Sequence, residues 1–600
     1  MKPINIKFKL NFAVSTILVL LVVASCESYL DKAPEATITE KDAYGNFRSF
    51  QGFIEELYNC IPDPNKCGAW NQYLFADEVL YNGIYAFDQG NYWSQSNYQY
   101  GTSVNTDNNS RTKRLWPLAW YAIRKANLAL EKLPLLIDAT QEEKDLIEGQ
   151  ALFFRGFMYF ELMKWWGGLP YIEKVLSQDE DLRFPRLTYK ETALKAAADL
   201  RAAADLLPVN WDEIDAGQAT LGNNDDRINK LHCLGYLGKD LLYAGSPMMN
   251  EASGGPAAFD AELCKQAAAA FAEAIELNDQ TNRYQLQSWA TWTDNFWVWS
   301  PSNRTMSGGK EVIMNCTVFD AGRVRWSTVG QTTPVQFGGN TSTSEVPTWN
   351  YIKNYAMANG LPIDDPASGY DPNDPWANRE PRFYSDIAVD GEKMVASAAA
   401  GPDQFIQTYT GGRHRGTSNG TVTGFYYKRY SPNGCNQWDN KWGAFQAYVP
   451  FLRLADIYLM YAEAVLQGYG SASSSDPGLA TLTAEGALNI VRNRAQLPNV
   501  SATYTASKDI FMEEIIRERA VELAFEGARF QDIRRWNLNT LPKYKIKTAL
   551  DFDRDPDTKK PVNISERTVI VRVAEKKHNW LPFQVNFTKQ YEGFPQNPGW

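Results

Sequence analysis

The sequence predicts a mainly α fold, a tetratricopeptide-like α-solenoid scaffold with a loop-rich, minor-β insertion. Ala/Leu-rich amphipathic stretches, "YAIRKANLALEKLP" (121–134), "KAAADLRAAADLLP" (195–208) and "KQAAAAFAEAIELN" (265–278), recur at roughly 70-residue intervals, about two tetratricopeptide units. Long apolar stretches ended by Gly or Pro alternate with them, "GQALFFRGFMYFELMKWWGGLP" (149–170) and "INKLHCLGYLGKDLLYAGSPMMN" (228–250). Small residues at the crossings let such helices stack closely, which builds a solenoid. Near residue 280 the pattern breaks into a Gly-, Pro-, Asn-, Thr- and Trp-rich stretch, and the helical pattern resumes near 445.

Taken in order, the chain begins with Lys2, Lys7 and Lys9 and an apolar run from Phe12 to Val23. That is the layout of an export signal, and the run is too short to span a bilayer comfortably. Small residues, Val23-Ala24-Ser25, stand directly before Cys26, as in a bacterial lipoprotein processing box. Residues 1–25 are therefore expected to be a lipoprotein signal peptide and Cys26 the lipidated first residue of one mature domain, 26–600. An ordinary signal peptide with an incidental cysteine is the plainer reading. Two acyl chains and more suffice for stable anchoring without a transmembrane helix. Cys60 and Cys67 flank the turn "IPDPNK", and an exported compartment would let them pair. Cys233 and Cys264 lie in helical patterns and read as buried thiols.

The helical scaffold is expected over 40–280 and again over 445–540, where "FLRLADIYLMYAEAVLQ" (451–467), "AEGALNIVRNRAQL" (484–497) and "IFMEEIIRERAVELAFEGARFQDIRRW" (510–536) follow one another. The insertion, 281–440, carries short β-like runs such as "EVIMNCTVF" and "GFYYKRY". Residues 541–600 show no clear period and read as an irregular strap. On the helix beginning near Ile510, Glu518, Arg519, Glu522 and Glu526 share one arc, so three carboxylates crowd one guanidinium. Like charges at this spacing repel, and Arg492, Arg494, Arg529, Arg534 and Arg535 are the cations expected to answer them. A catalytic carboxylate pair is the functional alternative.

A net charge of −10 argues against nucleic acid as a partner. The three histidines, His232, His414 and His578, are far apart with no metal-ligand spacing, so no metal centre or cofactor is expected. "DFDRDPD" (551–557) begins like a calcium loop but lacks the glycine and glutamate such a loop needs. "DDPASGYDPND" (364–374) offers carboxylate and backbone oxygens to a cation, or is a plain solvated turn.

"FLRLADIYLMYAEAV", "ALNIVRNRA", "IIRERAVELAFEGARFQDIRRW" and the terminal "QNPGW" resemble signature blocks of the SusD/RagB-like nutrient-binding lipoproteins of Bacteroidetes. Earlier blocks agree, namely Cys26-x-x-Tyr29-Leu30-Asp31, "YLFADEVL" (73–80), "RGFMYFELMKWWGGLP" (155–170) and "NREPRFYSDIAVDGE" (378–392). The family's usual Arg-Asp-Pro-Arg stands here as Arg379-Glu380-Pro381-Arg382, and "LPFQVNF" (581–587) replaces a more Pro/Ile-rich segment. The resemblance implies lipid anchoring at the outer membrane and partnership with a SusC-like TonB-dependent transporter. It further implies capture of oligosaccharides, or in some branches peptides, without catalysis.

A glycan platform needs flat aromatic faces for the C–H faces of sugar rings and short polar side chains for their hydroxyls. Nineteen Trp, 31 Tyr and 29 Phe are available, and two stretches concentrate them. "FADEVLYNGIYAFDQGNYWSQSNYQYG" (75–101) supplies Tyr85, Tyr92 and Trp93, with Asp77 in the family-like block at its start; "WATWTDNFWVWSPSN" (289–303) supplies Trp292, Trp297 and Trp299. These seven are the candidate ligand-binding residues. The plainer readings are a loop whose rings fold back on the helices, a strand with one face in the core, and a buried hydrogen bond for Asp77. A glycoside hydrolase would also carry aromatic clefts, but needs two carboxylates flanking one.

Overall fold

The computed structural model describes residues 39–62, 74–81, 87–93, 115–299, 310–315, 332–338, 345–416, 420–441, 445–447 and 449–600. Cys26, Cys67 and the candidate Tyr85 lie outside these residues, and so does the expected Cys60–Cys67 pairing. The fold is mainly α. Helices α1 (Phe47–Tyr58), α2 (Leu115–Lys132), α3 (Gln141–Trp166), α4 (Tyr189–Leu206), α5 (Lys230–Ala244) and α6 (Ala261–Thr281) precede the insertion. After it come α7 (Leu454–Tyr469), α8 (Ala484–Arg494), α9 (Lys508–Glu522) and α10 (Ala528–Arg535).

Local chemistry sets the ends of these helices. Thr140 and Thr188 close capping boxes with Glu143 and Glu191, and Asn229 and Asp260 cap α5 and α6. Gly167 ends α3 with φ of 80°, a conformation that favours glycine. Each helix then packs on the next, α2 on α3, α3 on α4, α4 on α5, α5 on α6 and α6 on α7. Gly149 and Gly156, seven residues apart on one face of α3, meet Leu207 and Leu200, and a Cβ at either would come within 2.9 Å of those side chains. Close stacking at this crossing depends on the missing methyl groups. Because α6 and α7 pack together although the insertion separates them in sequence, the insertion interrupts one helical stack. Cys233 and Cys264 are fully buried in that stack.

Short antiparallel strand pairs tie the insertion to the rest. β1 (Val79–Tyr81) pairs with β4 (Glu345–Pro347), β2 (Trp297–Trp299) with β7 (Phe445–Ala447), β3 (Val312–Asn315) with β8 (Pro450–Arg453), and β5 (Ile387–Ala388) with β6 (Tyr426–Tyr427). The tail differs from an irregular strap. Residues Ile546–Arg554 (β9) and Pro561–Val571 (β10) form the longest strand pair described, and only the chain beyond it is irregular. β10 is exposed along most of its length and two register shifts interrupt the pair, so no clean two-residue alternation marks it in the sequence.

An ionic network at the centre joins scaffold and insertion. Glu518 accepts from Arg382 (2.6 Å) and lies 3.4 Å from Arg492; Glu522 accepts from Arg382 (3.0 Å), Arg453 (2.6 Å) and Arg494; Glu526 accepts from Arg429 (2.6 Å) and Arg453 (2.9 Å). Arg492 and Arg494 answer the acidic arc as expected. The other three expected cations are engaged elsewhere, Arg529 on Asp77, Arg535 on Glu463 and Asp532, and Arg534 on the carbonyls of Lys164 and Asn579. Arg382 and Arg429 come instead from the insertion and Arg453 from β8. Burial pushes the Glu518 and Glu522 carboxyls up, and the surrounding guanidiniums more than reverse this, holding both below the ordinary glutamate value. At Glu526 burial wins and its pKa is raised.

Candidate functional site

Of the seven candidate residues, three are interred. Asp77 is buried, and its two oxygens accept from Arg529 Nε (3.0 Å) and Nη2 (3.2 Å). Tyr92 is 3% exposed, its ring 4.6 Å from Phe87, 5.0 Å from His578 and 5.7 Å from Trp600. Trp292 is 2% exposed and roofs the ionic network: the guanidiniums of Arg494, Arg429 and Arg453 lie 4.3, 5.3 and 5.4 Å from its ring. Such cation–π contacts, desolvated, hold the indole as a structural element. None of the three offers a face to a ligand, which corrects the sequence expectation for them. Burial of this kind is only partly legible in local sequence, because two of the three rings around Tyr92, His578 and Trp600, come from the chain's last twenty-five residues.

Two indoles point outward. Trp93 is 46% exposed, and the ring of Trp600 meets it edge-on at 5.7 Å and 84°. Trp600 is itself fixed, since its Nε1 donates to the carbonyls of Lys577 (2.9 Å) and Trp580 (3.0 Å). Trp299, on β2, is 39% exposed and set T-shaped against half-buried Trp297 at 5.3 Å, with the Lys441 ammonium 5.5 Å from its ring. Each exposed ring therefore has another side chain packed at one edge, Trp600 at Trp93 and Trp297 at Trp299. Trp600 and Lys441 are the supporting residues that sequence reading missed. They lie far along the chain from the rings they touch.

The acidic arc, the histidines and the acidic turns singled out in the sequence are occupied by structure. Glu518, Glu522 and Glu526 are buried among arginines, so the acidic arc presents no pair of carboxylates to a cleft. Burial drives the His232 pKa down to about 3, and burial likewise lowers His414 and His578. In the acidic turns, Asp365 accepts from Ala367 N (2.7 Å) and Tyr504 Oη (2.6 Å), Asp371 from Asn373 N (2.8 Å), and Asp551 pairs with Arg415 and Arg567. Among the described residues no three His, Cys, Asp or Glu side chains gather as metal ligands.

Comparison with known proteins gives a consistent picture. Residues 310–600 match the SusD family, and residues 28–220 match the family described as starch-binding associating with outer membrane. Two SusD-like proteins of Formosa agariphila, P38 and P2, are 26% and 24% identical over 40% and 34% of this chain. The chain spans less than half of each, 43% and 38% of their lengths. Among solved structures, a SusD-like protein from Bacteroides fragilis superposes with a TM-score of 0.66 at 20% identity, over 95% of this chain and 100% of that one. Surface glycan-binding protein A from Bacteroides uniformis superposes at 0.58 and 16% identity, over 92% and 99%. At these identities the structural likeness establishes the fold, while the two sequence matches lie over the ordered blocks that begin at "SYLD" and end at "QNPGW". The chain belongs to the SusD/RagB-like family.

Proposed function

We propose that this protein is a cell-surface oligosaccharide-binding lipoprotein, held in the outer membrane by lipid on Cys26, which captures glycans and passes them to a SusC-like TonB-dependent transporter. The observation that carries this reading is the pair of outward, braced indoles, Trp93 and Trp299. An indole face excludes water from the C–H face of a pyranose ring and costs little entropy when its rotamer is already fixed by neighbours. Half-buried Trp297 stands beside Trp299. The protein is a binder and not an enzyme: the acidic arc is neutralised inside the core, where it can neither protonate a leaving group nor activate water.

Support for the location comes from the family description, which names outer-membrane association, and from the lipobox-like "VASC". Among the described residues no helix is long and apolar enough to cross a membrane. Support for the ligand class comes from the same description and from the B. uniformis relative named for glycan binding. Affinity electrophoresis and titration calorimetry against plant, algal and host glycans, run beside peptide pools, test the proposal. Retention by at least one glycan, lost in Trp93→Ala/Trp299→Ala, is the expected result. Heat with peptides and none with any glycan would replace it with peptide capture, as in the RagB-like branch.

A further inference from the structure

Trp299 and Lys441 share one small piece of surface. The indole is 39% exposed, Lys441 is exposed, and its ammonium lies 5.5 Å from the ring. The backbone around the lysine fixes where its side chain starts. Asn440 turns the chain with φ of 52°, and Lys441 N donates to the Gly434 carbonyl at 3.1 Å. Gly434, with φ of 108°, lies against both side chains: a Cβ there would stand 3.0 Å from Lys441 Cδ and 3.5 Å from Trp299 Cη2. The missing methyl group lets the methylene stem and the indole edge pack on the same stretch of backbone.

The charge of this lysine is unanswered. Among the described residues no carboxylate forms an ion pair with its ammonium. Asp439, two residues away, is engaged elsewhere, accepting from Ala396 N (2.9 Å), Ser397 N (2.8 Å) and Asn436 Nδ2 (2.8 Å). The other exposed indole differs. Its neighbour Trp600 has the Lys577 ammonium 5.4 Å from its ring, but Lys577 pairs with Glu575 at 3.4 Å. The chain as a whole carries a net charge of −10, which at long range disfavours an acidic polymer. Any attraction for one must therefore be local, and Trp299 is the exposed indole with an unpaired cation at its ring. A sugar stacked on that indole brings the substituents at its rim within reach of the ammonium, where a carboxylate or sulfate is favoured over a hydroxyl.

We infer that Lys441 sets the ligand class at Trp299, selecting a glycan that carries carboxylate or sulfate groups and holding one such anion beside the stacked ring. The inference rests on the carbohydrate reading above. It is tested with matched polymers, polygalacturonate against its methyl ester for the carboxylate and κ-carrageenan against agarose for the sulfate. Each is immobilised and probed with the full chain at low salt and at about 300 mM NaCl, where charge is screened over a few ångströms. At low salt at least one acidic polymer is expected to bind about three- to fivefold tighter than its neutral counterpart, the scale of one partly exposed ion pair. Lys441→Gln and high salt should each bring that ratio to about one, and Lys441→Arg should preserve it. Coincident melting curves for the three proteins separate lost selectivity from lost folding. A merely structural role for Lys441 would weaken both members of a pair alike and leave the ratio in place, which would overturn the inference. So would equal, weaker or absent binding of both acidic polymers. In those cases retention of any neutral glycan leaves the proposed function standing. A wild-type protein that binds no saccharide removes both.

Discussion

At Trp292 an indole is enclosed by three guanidiniums, and at Trp93 the same side chain is met edge-on by Trp600 and is 46% exposed. The two should answer differently to truncation. Trp93→Ala or Trp299→Ala is expected to weaken glycan retention several-fold with an unchanged melting temperature, as removal of one exposed stacking face would do. Trp292→Ala should lower unfolding free energy by about 3–5 kcal/mol in urea titration, since it opens a cavity over buried charges. Sequence alone offered these tryptophans as equals, because exposure is decided by segments distant in the chain. Glu78 supplies a pH test. It is fully buried, and burial, then Asp77, raise its pKa to about 8 against the opposing pull of Arg529, Lys547 and Arg572. Between the ordinary glutamate value and about 8 the folded protein holds a proton that the unfolded chain has released. Stability contributed by this group therefore falls as pH rises through that window. Glu78→Gln should flatten the decline, gaining roughly 2–3 kcal/mol near neutral pH relative to wild type, read from urea midpoints across a pH series.

The helices were legible as elements because each carries its own period, cap and stop, as in the Thr188–Glu191 box that opens α4 and the Leu-Pro that follows it. Thr188→Ala should cost about 1 kcal/mol, measurable by denaturant unfolding. The β9–β10 hairpin was not legible, since its exposed strand alternates poorly and its bulges shift the register. The acidic arc on α9 was visible as a repulsion needing cations, but sequence could not say which ones. Arg492 and Arg494 lie near it in the chain, whereas Arg382 sits 136 residues from Glu518 and was passed over. Arg382 faces Glu380, Glu518 and Glu522 with no exposure of its own. Arg382→Met should destabilise by about 3–5 kcal/mol, because the carboxylates it leaves behind remain buried.

Across the whole molecule, those arginines make insertion and scaffold one cooperative unit. Arg382 and Arg429 leave the insertion to neutralise α9 and the turn after it, and Glu311 beside β3 accepts from both Arg453 and Arg494. Calorimetry should accordingly show a single unfolding transition, and two resolved transitions would contradict the network's role. The coupling is invisible to any local pattern, so in the sequence 281–440 reads only as a loop-rich, minor-β insertion. The contact between Trp93 and Trp600 has a consequence in time. About five hundred residues separate them, so a chain emerging from export in order would present its first indole long before the partner that steadies it arrives. Under the proposed function, a variant lacking Trp600 is expected to bind glycan more weakly through Trp93, read by affinity gel beside a melting curve.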